Sequence, residues 1–136
     1  MMTIKQNEAA ARRCIELFNR GTSEWVETCY APNVEWTELP LPATPSGQHG
    51  DRAFLGQVAR RLLALFPDRS MEILNLVAQG DRVVLELDWR GTASVTVGNI
   101  TAGSLIRFRV ATFLRFVEGM IVEHTDYCVG IPTHYA

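Results

Sequence analysis

The fold of this chain is decided by its last β-rich segment, which reads Met120-Ile121-Val122-Glu123-His124-Thr125-Asp126-Tyr127-Cys128-Val129. Successive side chains of a β-strand point to opposite faces of the sheet, so His124 and Asp126 lie on the same face. Both faces of the segment have an apolar majority, and the alternation alone leaves open which of them is buried. The segment therefore predicts a strand that carries an imidazole and a carboxylate side by side.

Three more β-rich segments precede this one, and short turn sequences interrupt the series. Gly80-Asp81 and Glu118-Gly119 are typical of β-hairpin turns. The three segments are residues 71–79, 82–92 and 105–116. The C-terminal half of the chain therefore predicts four strands.

Two helices are predicted at the start of the chain. Residues 4–20 place apolar side chains at helical spacing, and Gly21 is the residue type favoured just past a helix C-terminus. A second, shorter helix is capped by Thr22 or Ser23 and runs through Tyr30, since the proline two residues later prevents its continuation.

A strand, a loop and a third helix complete the N-terminal half. Residues 33–39 alternate and predict a strand, whereas three prolines and a glycine make residues 40–50 a loop. Asp51 is placed to cap a third helix that runs to about Phe66. Helices before strands in one small chain predict a single α+β domain over residues 1–136, in which a curled sheet wraps the helices and leaves a pocket.

Composition excludes several classes of protein. The 136 residues are 47% apolar and carry a formal net charge of −2, so the chain can bury a core and lacks the basic excess of nucleic-acid-binding proteins. Its apolar runs are too short to span a membrane, and no signal peptide is visible, which predicts a cytoplasmic protein without a membrane partner. The three cysteines lack metal-site spacing and are expected to be reduced.

The pair His124 and Asp126 is the first candidate for chemistry. Burial in an apolar setting raises the pKa of a carboxyl group and lowers that of an imidazole, which suits acid–base catalysis near neutral pH. The alternative is an ordinary ion pair on a solvated face. Segment 82–92 has one solidly apolar face, and its other face, with Glu86 and Asp88, is interpreted first as solvated.

Two further polar side chains lie near the Pro-rich loop. Glu38 shares a strand face with Trp36, and His49 stands just before the third helix, where it could act as a gate or be an ordinary loop histidine. A metal site built from these two with His124 and Asp126 has no supporting ligand spacing, so no metal is expected. The chain has no Gly-rich phosphate loop and no nucleophile motif, which predicts acid–base chemistry without a cofactor, or binding without chemistry.

The order of elements, together with Ile121-Val122-Glu123-His124-Thr125-Asp126-Tyr127, resembles the SnoaL-like branch of the nuclear-transport-factor-2-like superfamily over roughly residues 5–130. The resemblance implies a cone: a curved, mostly antiparallel sheet wrapped over three N-terminal-half helices around a deep apolar cavity, commonly in a homodimer. The superfamily contains polyketide cyclases, ketosteroid isomerases, limonene-epoxide hydrolases and non-catalytic binding modules, so the fold does not settle the function.

Three catalytic patterns of this superfamily can be placed on the chain. The ketosteroid isomerase residues are replaced by Cys14, Trp36 and Thr112, which rejects that mechanism. The epoxide hydrolase pattern matches its two catalytic carboxylates to Asp88 and Asp126, but its bridging arginine becomes Glu86, its tyrosine Trp36 and its asparagine Glu38. The polyketide cyclase pattern requires the fewest specific residues. It needs one inward aspartate on the His-x-Asp strand, and Asp126 matches it.

The resemblance therefore implies a cofactor-independent acid–base enzyme of the cyclase or isomerase kind, acting on a small hydrophobic molecule. Asp126 would move the proton, His124 would orient it or share its charge, and Asp88 or Glu38 would be the second acid–base group. Alternatives are an epoxide hydrolase that uses Glu38, Asp88 and Asp126, and a non-catalytic binding or dimeric scaffold domain. The candidate substrate-binding residues are Trp36, Trp89, Phe54, Phe108, Phe116 and His49.

Overall fold

Three helices and six strands make up residues 2–132, the part of the chain that the computed structural model describes. Their bounds are α1 Ile4–Asn19, α2 Glu24–Cys29, β1 Tyr30–Glu38, β2 Gln48–Gly50, α3 Arg52–Leu65, β3 Ser70–Gln79, β4 Arg82–Thr92, β5 Leu105–Val117 and β6 Met120–Gly130.

The long helices begin where their capping residues place them. Thr3 accepts a hydrogen bond from the backbone N–H of Gln6, whose side chain accepts one from Thr3 in return, and this capping box starts α1. Asp51 accepts from the N–H of Phe54 and starts α3, as the sequence predicted. Gly21 follows α1 with a φ of 81°, a conformation that glycine adopts without strain.

Two predicted boundaries near β1 were wrong. Tyr30 does not end α2 but begins β1, because a residue that precedes proline avoids the α conformation and the chain is already extended before Pro32. Gln48–Gly50, predicted as loop, is the short strand β2, which pairs antiparallel with Trp36–Glu38 of β1. Its three residues carry no strand pattern of their own, so only the pairing with β1 makes them a strand.

The six strands form one mixed sheet in the order β2-β1-β6-β5-β4-β3. All neighbours are antiparallel except β1 and β6, which run parallel. The sheet is not closed into a barrel, and its inner face packs on the helices as in an α+β cone.

A bulge in β6 changes the alternation that the sequence predicted. Arg115 of β5 is paired with Glu123, but the next residue, Phe116, is paired with Ile121, so Val122 is the extra residue of β6. Ile121 thereby turns to the core and is 0% exposed. The bulge puts it on the same face as His124, whereas strict alternation put the two on opposite faces.

The core lies between the inner sheet face and the helices. The inward side chains of β4 are the apolar ones, Val83, Leu85 and Leu87, as the 82–92 pattern indicated. Within residues 2–132, no helix is long and apolar enough to cross a membrane.

Candidate active site

A cavity of about 870 Å³ opens between the inner sheet face, α1, α3 and the loop that joins β1 to β2. Most of its lining is apolar. Five of the six predicted substrate-binding residues line it: Trp36, His49, Phe54, Trp89 and Phe108.

The polar side chains of the cavity are concentrated on three neighbouring strands. In the parallel β1–β6 ladder, Glu38 is paired with Asp126, and in the antiparallel β5–β6 ladder, Thr112 is paired with the same aspartate. His124 lies two residues before Asp126 and therefore on the same face, and Tyr30 approaches it from the start of β1. All five side chains line the cavity.

Four of these residues form a continuous chain of hydrogen bonds. Tyr30 Oη lies 2.8 Å from His124 Nδ1, and His124 Nε2 lies 2.7 Å from Asp126 Oδ1. Thr112 Oγ1 donates to the same Oδ1 at 2.7 Å. An ionised carboxylate only accepts, so Nε2 carries the hydrogen that faces Asp126. Within residues 2–132 the other oxygen, Oδ2, makes no hydrogen bond, and it is the oxygen left for a substrate.

Glu38 is in a different environment. Burial raises the pKa of its carboxyl group, and the negative charge of Asp126 raises it further, while a hydrogen bond from Gln48 Nε2 at 3.1 Å acts in the opposite direction. The carboxyl group is therefore biased towards its protonated form, from which it can donate a proton.

Two other ionisable groups of the cavity are held neutral. Burial raises the pKa of the Tyr30 phenol well above its ordinary value, with a smaller contribution from the neighbouring Cys14. Burial likewise raises the pKa of the Cys128 thiol, and the charge of Asp126 adds to the shift. Tyr30 is thus a hydroxyl donor, and Cys128 is a thiol rather than a nucleophilic thiolate.

The expectation that Asp88 belongs to this group was wrong. Asp88 points to the outer face of the sheet, because its neighbours Leu87 and Trp89 take the inner face or line the cavity. Its carboxylate pairs with Arg107 at 2.9 Å and with Arg90 at 3.0 Å. The pKa of Asp88 is lowered, and the hydrogen bond from Arg107 is the main cause. Asp88 is thus part of an ion-pair cluster outside the cavity.

Glu86 also lies on the outer face, where it faces Arg109 at 3.4 Å. The epoxide hydrolase pattern needs its charged side chains to point into the cavity, but Glu86 and Asp88 point to the outer face. The match of Glu86-Leu87-Asp88 to that pattern is therefore not supported. The strand turns Leu85 and Leu87 inward at these positions, and both are buried in the core.

Two more expected residues have different positions. Phe116 is 3% exposed and belongs to the core, but it is not among the residues that line the cavity, so its assignment to the substrate wall was wrong. His49 lies at the cavity mouth with an exposed side chain, and its Nδ1 is 2.7 Å from Thr37 Oγ1. Its role as a gate stays a prediction.

The sequence did not identify Tyr30, Thr112 and Gln48 as site residues. Thr112 alternates with the apolar Val110 and Leu114, and this pattern indicated an inward side chain. Tyr30 and Gln48 had no such signal, since the first was placed at the end of a helix and the second in a loop. In the described part of the chain, no group of three or more His, Cys, Asp or Glu side chains is arranged to hold a metal ion.

Comparisons with known proteins agree with this geometry. A family model described as a SnoaL-like domain matches residues 11–124. No curated protein matches the chain.

Among solved structures, IdmH from Streptomyces antibioticus, a proposed polyketide cyclase, is 26% identical with a TM-score of 0.77, over 90% of this chain and 91% of that one. A proposed polyketide cyclase from Acidithiobacillus ferrooxidans is 27% identical with a TM-score of 0.72, over 93% and 91% of the two chains. AclR from Streptomyces galilaeus, a proposed hydroxylase, shares the fold with a TM-score of 0.79 and 21% identity, over 93% and 77%.

Proposed function

Because the chain belongs to the SnoaL-like domain family, we propose that it is a cofactor-independent enzyme that moves protons on a small, largely apolar substrate, as a cyclase or an isomerase does. The observation that supports this is the hydrogen-bonded Asp126, which stands beside a second, half-buried carboxyl group in a mostly apolar cavity. Two structural neighbours described as proposed polyketide cyclases point in the same direction.

The two carboxyl groups have complementary roles. Asp126 Oδ2 takes a proton from a substrate carbon next to a carbonyl group, and the protonated Glu38 donates its own proton to the oxygen on which negative charge develops. An enol results, and Asp126 has become the acid and Glu38 the base. In an isomerisation, Asp126 returns its proton to another carbon and Glu38 recovers the enol proton. In a ring closure, the enol carbon attacks a second carbonyl carbon and breaks its C=O π bond, Glu38 recovers the enol proton, and Asp126 protonates the new alkoxide. The different environments of paired carboxyl groups assign these roles.

The apolar wall selects the substrate. Trp36, Phe54, Trp89 and Phe108 give the cavity broad aromatic surfaces, and these favour a flat, largely apolar molecule. Excluding water also strengthens the interaction between the carboxyl groups and the charge that develops on the substrate.

The epoxide hydrolase alternative loses its support, because it needs Asp88 in the cavity and Asp88 pairs with arginines on the outer face. The binding-module alternative keeps the cavity but has no use for a hydrogen-bonded carboxylate next to a raised-pKa carboxyl group.

We also propose that the protein is a homodimer. The outer faces of β5 and β6 expose Phe113 and Tyr127, which are both 47% exposed, and Val129, which is 63% exposed. Phe113 and Tyr127 pack edge to face at 5.5 Å, and Val129 lies two residues from Tyr127 on the same face of β6, so this face carries an exposed apolar surface. A second copy of the chain that covers this surface would leave both cavities open.

The first experiment is native mass spectrometry of the purified protein, with identification of any compound released on denaturation. That compound, and otherwise a panel of polycyclic ketones, is then incubated with the protein in deuterated water. The wild type is expected to introduce deuterium at the carbon next to the carbonyl group, Asp126→Asn to lose this activity, and Asp88→Asn to keep it. A ligand that is bound but neither exchanged nor converted would show that the domain is a binding module.

A further inference from the structure

We propose that Tyr30 is a positioning residue, whose hydroxyl group holds His124 as the neutral tautomer that donates its Nε2 hydrogen to Asp126. The inference rests on the proposed function insofar as Asp126 moves the proton. It concerns a residue that none of the three catalytic patterns placed on the sequence contains.

The first step is the placement of the hydroxyl group. Tyr30 is 2% exposed, and its Oη lies 2.8 Å from His124 Nδ1. Its ring stacks on the imidazole with centroids 5.7 Å apart and an interplanar angle of 24°, while Trp25 packs edge to face against its other side at 5.7 Å. The phenol is therefore fixed against one nitrogen of one histidine.

The second step follows the hydrogens along the chain. A carboxylate can only accept, so the nitrogen that faces Asp126 must carry a hydrogen, which leaves Nδ1 of a neutral imidazole as an acceptor. A buried phenol that keeps its proton is the donor that such a nitrogen needs. The tautomer with hydrogen on Nδ1 would place a nitrogen lone pair against the carboxylate oxygen, which is repulsive.

The third step is the consequence for Asp126. A hydrogen bond donated to Nδ1 stabilises the tautomer that carries its hydrogen on Nε2. The ionisable groups around the pair are Glu38 and Asp126 on one side and the Cys14 and Cys29 thiols on the other. With His124 held in this tautomer, Oδ1 of Asp126 faces the Nε2 hydrogen and Thr112 Oγ1, and Oδ2 is presented to the substrate.

The test uses nitrogen-15 NMR of labelled histidine side chains in the unliganded protein, which needs no substrate. In the wild type near pH 7, His124 is expected to show a hydrogen on Nε2 and an unprotonated Nδ1. In Tyr30→Phe, Nδ1 loses its hydrogen-bond donor, so its nitrogen-15 signal should move downfield at the same pH. The matched control is Tyr127→Phe, which removes the same atom from the outer face and should leave His124 unchanged.

A wild-type spectrum with hydrogen on Nδ1 would overturn the proposal, even if Tyr30→Phe failed to fold. A folded Tyr30→Phe variant with unchanged His124 signals would overturn it as well. If the deuterium-exchange assay works, Tyr30→Phe should slow the rate about tenfold with little change in apparent affinity. If no substrate exchanges, the proposed function fails, but the NMR result still decides the role of Tyr30.

Discussion

Glu38 and Asp126 are partners in the parallel β1–β6 ladder, and both carboxyl groups face the same cavity. Their surroundings differ. Asp126 accepts hydrogen bonds from His124 and Thr112, whereas Glu38 accepts one from the Gln48 amide, and burial raises the pKa of its carboxyl group. Paired carboxyl groups in unequal environments are a common basis for acid–base catalysis. Substitutions of these and neighbouring side chains test the difference between the two environments.

Relative to the wild type, Glu38→Gln should gain stability as the pH rises through the folded-state pKa of Glu38. The folded-state pKa of Glu38 lies above its ordinary value of 4.5. A group with a raised folded-state pKa contributes stability that is fully present below its unfolded-state pKa and is lost as the pH rises through the folded-state value. In thermal melts at several pH values, the melting temperature of the variant should therefore rise relative to that of the wild type as the pH increases. The variant should also lose deuterium exchange.

The control for this experiment is Glu35→Gln, on the exposed face of the same strand. It should leave both the pH dependence and the activity as they are. A stability difference between Glu38→Gln and wild type that stays constant with pH would contradict the burial of the Glu38 carboxyl group.

Asp88→Asn should destabilise the protein without affecting the reaction. The side chain of Asp88 is 4% exposed and pairs with two arginines, so its removal leaves two cations without a partner. We expect a loss of about 2 kcal/mol at pH 7, which is less than for a fully buried pair because Arg90 can reach water. Urea denaturation measures this loss.

The pH dependence of the Asp88 contribution has the opposite sign to that of Glu38. Arg107 lowers the folded-state pKa below the ordinary value of 3.8, so the contribution is present above that value and disappears as the pH falls through the folded-state pKa. The Asn variant and the wild type should converge in acid. Glu86→Gln, which breaks a more exposed ion pair, is the control and should cost less than about 1 kcal/mol.

Thr112→Val should slow the reaction about tenfold, because it removes one of the two donors to Asp126 Oδ1 at almost constant side-chain volume. Thr112→Ser keeps the hydroxyl group and should recover most of the rate. Deuterium-exchange rates measure both effects. Equal rates for the Val variant and the wild type would mean that His124 alone holds the carboxylate.

Val129→Lys should convert the proposed dimer into a monomer, because it places a charge within the apolar surface formed with Phe113 and Tyr127. Light scattering after size-exclusion chromatography measures the mass. Val77→Lys is the matched control, since Val77 is equally exposed, at 63%, but lies on the edge strand β3. A wild-type protein that elutes as a monomer would reject the dimer.

Elements with local signals were predicted well. The periodicity of α1 and the side chain of Asp51 act over a few residues, and their predictions were confirmed in the structure. The start of β1 and the existence of β2 were missed, because pairing with a distant strand overrides weak local propensity. The bulge at Val122 was missed for the same reason, since only the neighbouring strand β5 shows that a residue is extra.

By itself, the sequence determined the α+β class and the placement of His124 and Asp126 on one strand face, because these depend on periodicity and alternation. The order of elements and the segment 121–127 carried the family resemblance. Only the tertiary structure decided which face of each strand is buried. It brought Tyr30, Glu38 and Thr112 to Asp126 from different strands, and it placed Asp88 outside the cavity. The physical reason is that a strand pattern specifies two faces, whereas the pairing and curvature of the whole sheet determine which of them closes over the helices.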